Sequence, residues 1–438
     1  MNMTLFVERM RRWGLKGGLG ILDQGLYSGA NFLLGILLAR WFSPEAYGAF
    51  SAAYSIFLLF SVAQVALIAE PMSIFGADQH RHNVASYLNY LLRIQWIASI
   101  LGSCLIFLFA VLISNDMLRD ALMGIAIALP LIFYHWYLRR ASYVELQSGL
   151  AMLSSFIYST VLLLIVFLVQ TVGHLTSSTA YLAMSLSSVV AGMIVLKRLG
   201  LHFLGSGGTE TGLDPQKINQ ELFGFGKWIF PAYLAGWFTT LSFPFLITVL
   251  LNAQSAGAFR AVQNLFLPFQ QLLAAITLLI LPWLARQKSD HGSRRLFSAT
   301  QLAAGMTGLV AVLYCSLVVI FRREIVAFLY ASEFYSSFDA LVIFLAVSTL
   351  LGSAPLILGL ALRVIGQPNI ILWSKGAAAI FALVMGVPMI WMAKMNGVIL
   401  SVMGSSILEV LLVMFFYLRV KRESILLTSA NPSVRALE

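Results

Sequence analysis

Stretches of roughly 20 apolar, uncharged residues recur from Leu19 to Leu418, and about 20 residues of helix is the length that crosses a bilayer. One such stretch can be an anchor; a dozen leave almost nothing of a 438-residue chain outside lipid. The chain is 60% hydrophobic and 11% charged, against about a quarter charged in soluble domains. It has too little polar surface to cover a water-soluble core. The expected fold class is therefore an all-α polytopic membrane protein with about 12 transmembrane helices.

Spans are expected near residues 17–39, 47–69, 93–113, 119–138, 150–170, 178–196, 227–250, 258–284, 298–321, 339–362, 369–393 and 397–418. An even number puts both termini on one side. Of the 28 Lys and Arg residues, 21 fall on the side of the termini and 6 on the other (Arg40, Arg119, Arg260, Arg322, Arg323 and Lys394), with Lys375 inside span eleven. The positive-inside rule then predicts cytoplasmic termini. The net charge of +10 gathers at the mouths of apolar segments and forms no basic face, which argues against a nucleic-acid partner. Segment one follows Arg9, Arg11, Arg12 and Lys16 but is too long for the core of a signal peptide, and it carries Asp23 and Asn31. It is expected to stay as the first span. Cys104 and Cys315 both lie in apolar segments and read as small buried apolar residues.

The longest loop divides the spans six and six. The expected organisation is a cytoplasmic amphipathic segment (1–16), an N-lobe of six spans (17–196), a cytoplasmic linker (197–226), a C-lobe of six spans (227–418) and a cytoplasmic tail (419–438). Gly205, Ser206, Gly207, Gly208 and Gly212 make the linker flexible. Asp214 and Pro215 then start a helix. Its Ile218, Leu222 and Phe225 form an apolar stripe expected to lie on the inner membrane surface, as do Phe6, Met10 and Trp13 before span one. Gly48-Ala49-Phe50 and Gly257-Ala258-Phe259, 209 residues apart, enter spans two and eight. Together with the six-plus-six layout they suggest parallel repeats, a transporter architecture.

Charged and amide side chains in a bilayer need a reason, because a mid-membrane charge costs about 2.5–3.5 kcal/mol even on gentle scales. In span one, Asp23, Tyr27 and Asn31 recur every four residues, flanked by Gln24 and Ser28. This polar stripe faces a cavity or another helix. Gly25 and Gly29 are spaced for close helix packing. In span eight, Arg260, Gln263, Asn264, Gln270 and Gln271 share one face of a continuous helix. A water-filled lumen suits that face. The competing reading leaves Arg260 snorkelling at the outer interface and the amides bonded to neighbouring helices. Lys375 and Glu409 lie deep in spans eleven and twelve. They pair with each other, line the C-lobe interior, or couple transport to an ion. Pro231 and Pro244 in span seven and Pro268 in span eight mark these helices as bending elements or static kinks.

His80, His82, His135, His174, His202 and His291 are scattered, with no pair spaced for zinc on one helix, and no metal or organic cofactor is expected. The predicted outer loops are short, and an enzyme would need catalytic residues there. Asp116, Asp120, Glu324 and Glu333 are the candidates.

The segments Gln24-Gly25-Leu26-Tyr27-Ser28-Gly29-Ala30-Asn31-Phe32-Leu33-Leu34 and Leu38-Ala39-Arg40-Trp41-Phe42-Ser43-Pro44-Glu45-Ala46-Tyr47-Gly48-Ala49-Phe50 resemble the start of Wzx-type polysaccharide-lipid flippases. These are oligosaccharide flippases of the MATE-like MOP superfamily. Ala256-Gly257-Ala258-Phe259-Arg260-Ala261-Val262-Gln263-Asn264 is similar to their second-half counterpart. The resemblance implies two six-helix lobes around a central cavity, and export of an undecaprenyl-diphosphate-linked oligosaccharide from the inner to the outer leaflet. It also implies a substrate-binding role for Arg260 toward the diphosphate, and a pathway serving O-antigen, capsule or exopolysaccharide. Membrane lipids, a polysaccharide polymerase and other assembly proteins would be the partners. Na+ or H+ would drive transport, with Asp23, Lys375 and Glu409 as coupling candidates. The chain departs from a cationic first lobe in having Asp23 inside span one. The competing functions are a MATE-type cation/drug antiporter, favoured by an acidic first-lobe pocket, and a membrane-embedded glycan-processing enzyme.

Overall fold

The computed structural model describes residues 3–76, 78–204, 214–331, 333–336, 338–367 and 369–430, and those residues are helical almost throughout. Helix starts follow local capping chemistry. Ser43 Oγ accepts the Ala46 amide at 3.2 Å ahead of Pro44, Asn115 Oδ1 accepts from Leu118, and Thr176 and Thr179 cap each other reciprocally. Asn252 Oδ1 accepts the Ser255 amide at 2.7 Å. Ser43 and Asn252 are 209 residues apart, the offset of the Gly-Ala-Phe pair, so the repeat extends from sequence to the cap that opens spans two and eight.

The chain forms two compact units, Met1–Tyr233 and Leu234–Glu438. In the first are α1 (Met3–Trp41), α2 (Pro44–Gln64), a π-helical turn (Val65–Ala69), α3 (Glu70–Phe75), α4 (Val84–Val111), α5 (Asp116–Val144), α6 (Ser148–Thr171), α7 (Ser177–Leu199) and most of α8 (Pro215–Gly236). In the second, a π-helical turn (Trp237–Leu241) leads to α9 (Phe243–Leu250), α10 (Ala253–Asn264), α11 (Leu267–Ile320), α12 (Arg322–Tyr330), α13 (Glu333–Ser336) and α14 (Asp339–Ile365). Then come α15 (Asn369–Phe381), a third π-helical turn (Ala382–Gly386) and α16 (Val387–Ala430).

Among the described residues nine helical segments are long and apolar enough to cross a membrane, or ten when α8 and α9, bent by 54°, count as one span. Breaks account for the rest of the twelve expected. Lys394 (φ 54°, ψ −131°) interrupts α16, so spans eleven and twelve lie on two arms of the Asn369–Ser424 segment. Gly292 (φ 74°) interrupts α11 between spans eight and nine. Large apolar side chains such as Ile97, Leu101, Leu105 and Leu108 on α4 stay exposed in one row, as a lipid-facing surface requires. Cys315 is buried, whereas Cys104 belongs to this exposed face of α4, contrary to expectation. The glycines that let helices touch also differ from those expected. A Cβ on Gly124 of α5 would meet Ser178 Cα of α7 at 2.5 Å, and one on Gly192 would meet Tyr134 at 2.6 Å. At Gly25 and Gly29 the corresponding space is open.

The compact units divide inside span seven, not at the expected lobe start of 227. The cause is α8. Its Ile218 and Leu222 are buried with Ile68, Met72, Tyr87, Leu91 and Tyr137 in a core at one end of the first unit, and Phe225 meets Phe75 edge-on. His80 Nε2 lies 2.8 Å from Glu221 Oε2, and Tyr90 donates to Asn219 Oδ1 at 3.0 Å. The stripe expected on the membrane surface is therefore packed into protein, which removes it from water more completely than an interface would. Phe6, Met10 and Trp13 lie outside the described side chains, and Gly205, Ser206, Gly207, Gly208 and Gly212 outside the described residues. Leu222→Ala is expected to destabilise the protein by about 2–5 kcal/mol, read as a lower thermal midpoint in detergent; an unchanged midpoint would contradict this packing.

Candidate functional site

The first unit carries a buried polar network between α1, α5 and α6. Asp23 is 1% exposed, and a carboxylate in an apolar interior is tolerated only when its lone pairs are used. Three side chains converge on it. Arg139 donates Nε to Oδ1 at 2.9 Å and Nη2 to Oδ2 at 2.9 Å, a two-pronged geometry suited to carboxylates. Tyr143 donates to Oδ2 and Ser155 to Oδ1, each at 2.5 Å, and Arg139 Nη2 also reaches Gln24 Oε1 at 3.1 Å.

One turn along, the Arg139 guanidinium sits 4.3 Å from the centroid of the Tyr27 ring, a cation–π contact in a desolvated setting. Tyr27 stacks on Tyr158 at 4.8 Å and accepts a hydrogen bond from Trp136 Nε1. Tyr158 donates to Asn31 Oδ1 at 3.1 Å, and Asn31 Nδ2 donates to the Tyr27 carbonyl at 2.8 Å. The span-one stripe thus splits by face. Asp23 and Tyr27 are buried and Asn31 is bonded to α6, while Gln24 and Ser28 bond to each other on the exposed side. Arg139 is one of the 21 cations counted on the side of the termini, and that count does not reveal it as a partner of Asp23. The signal was available: an embedded acid needs a cation at its own depth, and Arg139 ends span four.

In the second unit the expected single helix face is divided. Residues Leu265 and Phe266 interrupt span eight between α10 and α11. Arg260, half-buried on α10, donates Nη1 to Gln263 Oε1 at 2.9 Å. Gln263 Nε2 points to the Thr240 carbonyl of the π-helical turn at 3.4 Å. Gln263 (7% exposed) and Asn264 (1%) are buried, whereas Gln270 and Gln271 beyond the break are exposed. Lys375 and Glu409 are both half-buried, and among the described residues no ion pair joins them. Among the acids considered for catalysis, Asp116 pairs with Arg119, and Asp120 accepts the Ser178 amide and hydroxyl at the start of α7. The side chain of Glu333 lies outside those described. No group of three His, Cys, Asp or Glu residues is poised for a metal among the described residues.

Solved structures of transporters share this fold. A multidrug resistance MATE family transporter of the MOP superfamily, in its inward-facing conformation, matches with a TM-score of 0.70 at 14% identity, over 92% of this chain and 96% of that one. The MATE multidrug transporter DinF-BH, solved as a complex, matches with a TM-score of 0.66 at 13% identity, over 92% and 94%. The eukaryotic MATE transporter AtDTX14 matches with a TM-score of 0.63 at 17% identity, over 96% and 98%. The protein is a multi-pass membrane protein with the fold of MOP-superfamily transporters. The profile of the polysaccharide biosynthesis protein family matches residues 37–339, more than half of the chain, and the chain belongs to that family. No curated protein sequence matches it significantly.

Removing one partner of the Asp23–Arg139 pair leaves a buried charge alone. Asp23→Asn and Arg139→Gln are each expected to destabilise by about 3–5 kcal/mol, with the double variant recovering part of the loss. Additive losses in a thermal-unfolding double-mutant cycle would contradict a direct pair.

Proposed function

We propose that the protein is a flippase. It carries an undecaprenyl-diphosphate-linked oligosaccharide repeat unit from the cytoplasmic to the outer leaflet of the cell membrane by alternating access, supplying O-antigen, capsule or exopolysaccharide assembly. Membership of the polysaccharide biosynthesis family carries this reading, because the fold alone is equally that of drug transporters. Arg260 is the proposed contact to the diphosphate or an acidic sugar, since it is a half-buried cation near the start of span eight and is held in place by Gln263. The exposed Gln270 and Gln271 suit glycan hydroxyls. The 54° bend between α8 and α9 and the break in span eight fit elements that change shape during transport. In this reading both termini are cytoplasmic, Na+ or H+ supplies the driving force, and no covalent chemistry is performed. Surrounding lipids, a polymerase and further assembly proteins are its partners.

The likeness to multidrug transporters favours a second reading, a cation/drug antiporter. Against it stands the state of Asp23: a first-lobe acid that binds a cationic drug needs an uncommitted carboxylate, and this one is occupied by Arg139, Tyr143 and Ser155. The deciding experiment compares a strain lacking the protein with strains rescued by wild type or Arg260→Gln at matched membrane levels. The flippase reading expects assembled lipid-linked repeat units to accumulate and surface glycan to vanish without the protein. Arg260→Gln should restore export roughly tenfold to a hundredfold less well than wild type, the scale of one charge-assisted contact. Unchanged glycan and intermediates, with new sensitivity to cationic dyes, would establish the antiporter instead.

A further inference from the structure

The break in span eight frees backbone carbonyls inside an apolar unit, and two tyrosine hydroxyls occupy two of them. In a continuous helix the Ala261 carbonyl would accept the Leu265 amide. Here Leu265 N bonds to Val262 O and Phe266 N to Gln263 O, both at 3.1 Å, a tightened turn that leaves Ala261 without its amide. Tyr330, at the end of α12, donates its hydroxyl to Ala261 O at 2.7 Å. Leu265, within the break, accepts the hydroxyl of Tyr314 from the second arm of α11 at 2.6 Å. Pro268 has no N–H for the Asn264 carbonyl, which explains why the helix breaks here. It does not explain what satisfies the carbonyls of Ala261 and Leu265.

Both donors are anchored. Tyr330 is 1% exposed and packs against Tyr335 at 5.2 Å. Tyr314 stacks on Phe269, just past the break, at 5.3 Å. A hydroxyl supplied by a neighbouring helix replaces an intrahelical amide at little cost in a dry environment, where an orphaned carbonyl is expensive.

We propose that Tyr314 and Tyr330 are positioning residues forming a clamp that holds span eight broken, and thereby sets how Arg260, Gln263 and Asn264 on one side of the break are oriented relative to Gln270 and Gln271 on the other. The clamp belongs to the second unit alone and does not depend on what is carried. Losing one hydroxyl shifts the balance between broken and continuous span eight by roughly fivefold to thirtyfold. The rings remain in Tyr314→Phe and Tyr330→Phe, so the core around them is kept.

The test places spin labels at Gln254 and Leu272, both exposed, in a Cys104→Ser, Cys315→Ser background, and measures their separation by pulsed electron spin resonance in lipid nanodiscs. A continuous helix would hold these positions about 27 Å apart. The clamp predicts one narrow distribution in the parent, set by the tightened turn at Leu265 and Phe266. In each Phe variant and most strongly in the double variant the distribution should broaden or gain a second population, with export falling in parallel. The parent distribution retained in all three variants overturns the proposal, whether or not export falls. A shifted distribution with normal export supports the clamp and counts instead against the span-eight groups as the cargo's contacts.

Discussion

A bilayer offers the backbone no hydrogen-bonding partner, and the architecture follows from meeting that demand within the protein. Long helices satisfy it by themselves. Among the described residues the departures from regular α-helix include three π-helical turns, Val65–Ala69, Trp237–Leu241 and Ala382–Gly386, the interruption at Leu265 and Phe266, and the breaks at Gly292 and Lys394. At the interruption replacement donors are in place: Tyr330 for Ala261 and Tyr314 for Leu265. At the second π-helical turn the Thr240 carbonyl faces the Gln263 amide. At these two places irregular backbone is answered by side chains of the same unit, and both lie beside the polar groups of span eight.

Charge obeys a parallel rule. Asp23 is tolerated in span one because Arg139, Tyr143 and Ser155 take up both of its oxygens, and the cation–π contact to Tyr27 fixes the guanidinium from its other side. A pair this enclosed contributes specificity of packing between α1, α5 and α6 more than net stability, since desolvation offsets most of the attraction. Arg260 contrasts with it. It is half-buried, and its bond to Gln263 is to an amide three residues away on the same helix, which orients the guanidinium locally. The two arginines therefore differ in what they join: Arg139 belongs to a network linking three helices, whereas the bond of Arg260 to Gln263 stays within α10.

Much of the fold was legible because membrane helices announce themselves by length and apolarity alone. Each of the twelve expected spans has a helical counterpart among the described residues, and the Gly-Ala-Phe echo is matched by caps at Ser43 and Asn252. Faces were less legible. The span-one and span-eight stripes were drawn on ideal continuous helices, but Asp23 and Gln24 diverge to buried and exposed sides. The break at Leu265 likewise separates Asn264 from Gln270. The α8 stripe of Ile218 and Leu222 was correctly apolar and wrongly placed, because periodicity states that a face seeks cover without stating whether lipid or protein provides it.

What the sequence determined by itself was the solvent, the all-helical fold class and where charge is scarce, since these depend on composition summed over windows of about 20 residues. What only the tertiary structure decided was pairing. Asp23 with Arg139 spans 116 residues, Tyr330 with Ala261 spans 69, and His80 with Glu221 spans 141. Such partners are chosen by which helix faces meet, and in a chain whose outward and inward residues are alike apolar, no local pattern carries that choice.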